Sequence, residues 1–388
     1  MSILSSAGKT GSADKLNGEL EQPVSAATAE LIPESPAAAA EQSGSNGDPV
    51  GLRSRIFKPH TILSFAVALF ILVFFFRRLD INIGDVWSII KNANIWLLAL
   101  ALIIFYSTFI IRAFRWRLML SQAGITDANG FDVPDIPRFV DIFILSWFAN
   151  CVIPAKLGDG YRSYLLKRDS GAPMSSGLGT ILAERLVDLV VLFSTMIVMG
   201  IIAFHGNVPG EAERTLIGGV ALVAIGIIAV AVLYFFRDHL EQLIPHRFRA
   251  QYVRLHDGIF SCLRRPGRFA AISVVIWMFD GTRMFLVAKS LGADIGFSTA
   301  VFVALMASLV ATLPFTPAGL GVVEAAVIVI LTDVVHLSPS MAGSIALMDR
   351  VITYWSLIVI GLILYGRQMK RDVIQSKSRR IVDSAPAQ

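Results

Sequence analysis

The chain has 388 residues, of which 55% are apolar and 16% charged, with a net charge of +5 and a mean hydropathy of +0.65. Soluble domains run near roughly 45–50% apolar and 25% charged, so a soluble globular protein is excluded and the composition describes an integral membrane chain. Two cysteines, Cys151 and Cys262, are too few for a disulfide framework.

Residues 1–52 open the chain as a tail in which Met1 to Val50 hold no Phe, Trp or Tyr. Such a stretch cannot bury enough apolar surface to offset the entropy of ordering, so it is expected to be disordered. It also lacks the apolar core of a cleavable signal. Apolar runs long enough to cross a hydrocarbon layer, which takes about 20 helical residues, lie near His60–Phe76, Ile95–Ile111, Leu178–Phe204, Leu216–Phe236, Phe269–Leu291 and Met341–Gly366. Between the first two, Ile81–Lys91 predicts a short interfacial helix. Arg112, Arg115 and Arg117 read as the basic flank that closes the second span. Arg247 to Arg265 interleaves basic residues with Phe248, Tyr252, Leu255 and Ile259, which predicts a helix lying on an anionic leaflet rather than a nucleic-acid-binding segment.

Lys and Arg gather before span one, after span two, in the loop Arg247–Arg268 and in the basic tail 367–388. These ends are expected to be cytoplasmic, with both termini inside an inner membrane. "HGNVPGEAE" and "GADIG" carry neither Lys nor Arg beyond their acidic side chains, and face outward. The scheme works only if Phe139–Leu166 and Phe297–Val335 each return to the side they left. Both then read as re-entrant hairpins, whose irregular backbone must be surrounded by protein or a wet cavity.

Each hairpin carries Pro-Ala-x-Leu-Gly, as "PAKLGDGYR" at Pro154–Arg162 and "PAGLGVVE" at Pro317–Glu324. "AERLVDL" at 183–189 follows the first at nearly the offset at which "MDRVITY" at 348–354 follows the second. The predicted architecture is therefore all-α and polytopic: about six full transmembrane helices plus two re-entrant hairpins, in an inverted repeat of about 60–204 and 216–366 within a transmembrane domain of 53–366. Interrupted segments at corresponding positions mark the site in transporters built this way. Intramembrane charges lie at Glu184, Arg185, Asp188, Asp280, Arg283, Glu324, Asp349 and Arg350. Each costs about 2.5–3.5 kcal/mol unpaired at mid-membrane, so they must pair or line water. Arg185 with Asp188 and Asp280 with Arg283 have the spacing of same-face helical pairs, whereas Glu184, Glu324 and Asp159 have no local partner. No histidine pair has a metal-ligand spacing, and no cofactor or metal is expected.

"NCVIPAKLGDGYR" at Asn150–Arg162, "ERLVD" at Glu184–Asp188 and "LPFTPAGLGVVE" at Leu313–Glu324 together resemble the transmembrane region of lysylphosphatidylglycerol synthase, the flippase-like part of multiple peptide resistance factor proteins. The resemblance covers about Thr61 to Gly366. It implies movement of a lipid between leaflets: a phospholipid, an aminoacyl-phospholipid, or a related glycolipid or hopanoid lipid. No soluble synthase domain follows Gly366, and the chain reads as a transporter rather than an enzyme. On this reading Pro154, Gly158, Pro317, Gly319 and Gly321 break the hairpins so that backbone dipoles face a cavity. Arg162, Arg185, Arg283 and Arg350 are the expected phosphate partners. Glu184, Asp188, Asp280, Glu324 and Asp349 balance them or hold a cationic headgroup or a proton, and Asn150 and Asp159 complete the lipid-contacting set. Two alternatives stay open: a membrane-embedded lipid or glycosyl transferase using Asp159 and Glu184, and a scaffold partnering a lipid-synthesis enzyme.

Overall fold

The computed structural model describes residues 81–152, 157–204, 244–312 and 316–383, with scattered positions of 66–78 and 221–242, apart from side chains at 246, 317 and beyond 371. The expected tail 1–52, most of the spans near 60–76 and 216–236, and the break at Pro154 lie outside the described residues. Everything described belongs to one compact unit, Val50–Gln388.

Helix starts follow from local chemistry. In α1 (Ile83–Lys91) the Asn82 side chain accepts from Gly84 N at 2.8 Å, Asp85 sits in the first turn and Lys91 in the last, each charge opposing the helix dipole. Asn94 then caps α2 (Ile95–Gln122) by accepting from Trp96 N at 3.0 Å. At 28 residues α2 is about 42 Å long, more than a hydrocarbon core requires.

The first interrupted region folds as α3 (Ile136–Val152) and α4 (Gly158–Ser170), packed on each other and followed by α5 (Met174–Ala203). In the second half, α6 (His246–Leu263) leads to α7 (Pro266–Ser290), which begins with Pro at its first position, where no N–H is missed. The second interrupted region gives α8 (Phe297–Thr312) and α9 (Val322–Val329), the latter running into a π-helical turn, Ile330–Val334. Ser338 caps α10 (Pro339–Arg350); a second π turn, Val351–Trp355, joins it to α11 (Ser356–Asp383). No strand occurs among the described residues.

Four of these helical stretches, Ile95–Asn129, Met174–Ala203, Pro266–Ser290 and Pro339–Arg371, are long and apolar enough to cross a membrane. Their outward surfaces expose Ile103, Ile110, Phe114, Leu182, Val198, Ile201, Val359 and Leu362, while arginines and carboxylates are buried between them. In water so much exposed apolar surface would drive aggregation; facing acyl chains it is the stable arrangement. The chain is an all-α polytopic membrane protein.

α2 packs along α7 in the antiparallel sense, with Asn94 N donating to Ser290 O at 2.8 Å at one end. The helix expected on the leaflet surface, α6, is instead docked on α5. Gly179 and Gly258 make this possible, since a Cβ on Gly179 would fall 2.3 Å from Leu255 O and one on Gly258 2.8 Å from Ser176 O. His256, Ile259 and Cys262 are buried, Cys262 against Met119 O of α2, and Arg247 and Arg254 stay exposed. An amphipathic pattern records that one face is covered, and here the cover is protein.

Candidate functional site

Arg112 and Arg115 lie one turn apart in the second half of α2, and both are buried, at 3% and 1% exposure. Their reading as a cytoplasmic flank is therefore corrected: α2 continues to Gln122, and the two guanidinium groups enter the bundle instead of leaving it.

Arg115 is the centre of the first network. Its Nη2 donates to Glu184 Oε1 at 2.6 Å and to Asp188 Oδ2 at 2.9 Å, while Nη1 engages Asp188 Oδ1 and Ser273 Oγ of α7. Ser273 Oγ lies 2.8 Å from Asp188 Oδ1. Arg162 of α4 takes the remaining oxygen of Glu184, and its guanidinium sits 4.5 Å from the ring centres of both Trp116 and Phe143. Two arginines thus neutralise two carboxylates, and every carboxylate oxygen is engaged. At the edge of this network Arg185 and Asp159 pair at 2.8 Å, with side chains 42% and 25% exposed. The spacing-based pairing of Arg185 with Asp188 does not form, because Asp188 turns to Arg115 across the bundle.

The second network starts at Arg112, whose Nη2 is 3.2 Å from Asp280 Oδ2 of α7. The Arg112 guanidinium lies between Trp147 and Trp277, 5.1 and 5.6 Å from their ring centres, a placement that favours a desolvated cation. Asp280 also stands 3.8 Å from Arg283 Nε, the one same-helix pair that the spacing foretold. Arg283 pairs with Asp349 of α10, and the neighbouring Arg350 Nε meets Glu324 Oε1 of α9 at 2.9 Å.

The two networks pair their residues in parallel ways. Arg115 of α2 meets Glu184 of α5, as Arg283 of α7 meets Asp349 of α10; Asp159 of the first interrupted region meets Arg185, as Glu324 of the second meets Arg350. One turn before Arg115 and Arg283 stand Arg112 and Asp280, and these two meet each other.

Both networks leave arginine Nε atoms open, at Arg115 and Arg162 as at Arg112 and Arg283, and they differ in their carboxylates, since those of Glu184 and Asp188 are fully engaged and that of Glu324 is not. Glu324 Oε2, Arg350 Nη2 and Thr316 Oγ1 are buried without a hydrogen-bond partner among the described residues, as is Trp277 Nε1. Buried polar atoms are nearly always satisfied, so an acceptor and a donor left open on one buried ion pair, Glu324 with Arg350, call for a water or a ligand. The backbone there is unusual as well. Gly319 and Gly321 have φ of 72° and 82°, and Ala318 between Pro317 and Gly319 has φ 48°, a left-handed conformation that costs a residue with a Cβ about 1 kcal/mol or more. These residues turn the chain sharply into α9 and bring Glu324, in its first turn, against α10.

Asn150 and Gly158 serve the fold. Asn150 Oδ1 accepts from Gly158 N at 2.8 Å, Ser146 Oγ donates to Gly158 O at 2.8 Å, and a Cβ on Gly158 would fall 2.0 Å from Ser146 O. Pro154 lies outside the described residues. Glu184, Glu324 and Asp159, without a local partner in sequence, each find one on another helix. Sequence reasoning missed Arg112, Arg115, Ser273, Thr316 and the two tryptophans. One signal was available for the arginines, which share the three-residue spacing of Asp280 and Arg283.

Comparison with known proteins places this chain in a family. The family described as Lysylphosphatidylglycerol synthase TM region matches residues 61–361. A UPF0104 membrane protein of Methanocaldococcus jannaschii is 30% identical over 219 residues, 56% of this chain and 93% of the relative. Another, of Methanothermobacter thermautotrophicus, is 24% identical over 341 residues, 80% of this chain and 93% of the relative. A Haloferax volcanii protein named glycosyltransferase AglD is 25% identical over 350 residues; the match takes in 80% of this chain but only 55% of that relative. No solved structure matches. The expectation of a non-enzymatic protein is corrected by the third relative, whose name is that of an enzyme.

Proposed function

We propose that this chain, which belongs to the lysylphosphatidylglycerol synthase transmembrane-region family, binds a lipid headgroup inside its bundle and passes the lipid between leaflets. The observation that carries this reading is the buried pair of Glu324 and Arg350, which keeps an acceptor, Oε2, and a donor, Nη2, open, beside a first network in which every carboxylate oxygen is engaged. A phosphate bearing a hydroxyl or amine substituent supplies the complementary set: oxyanions for the guanidinium fork and a donor for the carboxylate. The parallel pairings, and α2 and α7 running antiparallel, support an inverted repeat with its ligand between the halves. In this arrangement the basic ends of the helices face the cytoplasm across an inner membrane. The cargo is a phospholipid, an aminoacyl-phospholipid, or a related glycolipid or hopanoid lipid.

The test is leaflet-resolved movement of a labelled phospholipid in vesicles holding the purified protein. Glu324→Gln keeps shape and removes charge, so lipid movement is expected to fall about tenfold or more, the effect of one lost charge-assisted hydrogen bond. The amide oxygen still accepts from Arg350, but the guanidinium loses its counter-charge, so the melting temperature is expected to fall too and lipid movement is compared per folded protein. Unchanged lipid movement would show that the open groups are not the site.

The glycosyltransferase name of one relative favours a second reading, a membrane-embedded lipid or glycosyl transferase. Consumption of an activated sugar donor by the purified protein, with a lipid acceptor and loss of turnover in an Asp159→Asn or Glu184→Gln variant, would support it over translocation.

A further inference from the structure

A cleft of about 60 Å³, room for more than one water-sized group, opens between the start of α3 and the last helix. Its polar wall is Arg138, Asp141, Arg367, Gln368 and Arg371, and Leu145 and Leu364 form an apolar floor. α3 and α11 pass close to each other at Gly361, where an added Cβ would lie 2.5 Å from Phe148 Cβ. The cleft lies about two helical turns beyond that crossing, at the end of the bundle where Lys167, Arg168 and Lys370 also gather. None of its residues belongs to the interior ion-pair networks.

The arginines of the cleft have different tasks. Arg138 is committed to the fold, donating from Nε to Asp169 Oδ2 at 2.7 Å and from Nη2 to Gln368 Oε1 at 2.8 Å, with Asp141 at 3.8 Å. It thereby ties α3, the end of α4 and α11 into one rim. Arg367 and Arg371 are exposed, stand four apart on one helical face, and have no ion-pair partner among the described residues. Like charges at that spacing repel each other, and Arg138 adds a third cation opposite them. Asp141 and Asp169 offset this only in part. The same helix exposes Leu362 and Ile363 toward its lipid side, so apolar surface continues from the charged rim.

We propose that this cleft is a binding site for the phosphate of an anionic membrane phospholipid, held by Arg367 and Arg371 against the fixed Arg138 rim, with the acyl chains lying along Leu364 and the neighbouring apolar surface. Basic pockets between helices at one membrane face suit such headgroups, and paired guanidinium groups match phosphate oxygens. The proposal is independent of whether the interior site moves lipid.

The experiment compares the parent with Arg367→Gln/Arg371→Gln, which leaves Arg138 and its bonds intact, and with a control, Lys370→Gln/Arg254→Gln, that removes the same charge outside the cleft. Native mass spectrometry in detergent follows retention of phosphatidylglycerol against phosphatidylcholine. Thermal shift follows the response to phosphatidylglycerol and to inorganic phosphate. The expected result is a one-to-one phosphatidylglycerol complex in the parent and the control, weakened about tenfold or more in the cleft variant. Equal retention by the cleft variant and the parent would overturn the site. Equal weakening in the control would reduce it to nonspecific charge, and a shift with inorganic phosphate as large as with phosphatidylglycerol would overturn a lipid as the source of the anion.

Discussion

Replacing Arg115 by leucine removes the group that holds α2, α5 and α7 together. Glu184 keeps Arg162, but Asp188 is left with Ser273 alone. Arg115 and Glu184 side chains are 1% and 2% exposed and that of Asp188 8%, so water cannot take over the lost bonds. Removing one partner of a buried pair costs about 3–5 kcal/mol, and an unpaired aspartate at mid-membrane alone accounts for about 2.5–3.5 kcal/mol. For a domain of this size that lowers the melting temperature by roughly 5–8 °C. Arg185→Leu breaks a pair whose side chains are 42% and 25% exposed, and should cost under about 1 kcal/mol. The assay is thermal unfolding of the purified protein in one detergent, with Arg115→Leu/Asp188→Asn as the third variant. Neutralising the stranded carboxylate should recover about half of the loss. If Arg115→Leu and Arg185→Leu melt together, or the added Asp188→Asn change recovers nothing, the central role given to Arg115 is wrong.

Ala318, at φ 48°, should be relieved by Ala318→Gly, which is expected to stabilise the protein by about 1 kcal/mol in the same melting assay; a lower melting temperature would contradict the strain. Orientation is testable with single cysteines at Lys167 and Asp294, both exposed, in a background lacking Cys151 and Cys262. A membrane-impermeant maleimide should label Asp294→Cys from outside and Lys167→Cys only after the membrane is opened, and labelling of both from one side would contradict the opposed hairpins.

Much of the architecture was legible because it follows from local rules. Asn82, Asn94 and Ser338 sit where caps are needed, and Gly319 and Gly321 turn the chain where a break was expected. The demand that intramembrane charges pair was also correct as physics. Their partners were not legible, since Arg115 with Asp188, Arg283 with Asp349 and Arg350 with Glu324 join helices whose contact depends on packing. Arg112 and Arg115 were misplaced because a hydropathy window ends a span at its first charge, whereas α2 runs a further three turns or so. The docking of α6 turned on Gly179 and Gly258, ordinary residues in sequence whose absent side chains matter only once the two helices cross. The non-enzymatic expectation rested on the family resemblance, and that resemblance extends to a relative named as a glycosyltransferase.

The contact between Arg112 and Asp280 bears on how such a chain could have arisen. Under the two-fold relation proposed above, these residues occupy equivalent places and meet at the axis. An ancestral half assembling with a copy of itself would have set arginine against arginine there, or aspartate against aspartate, a clash of like charges in a poorly screened interior. On that relation, one sign in each half would let the two halves pair at a place where two copies of either half would repel.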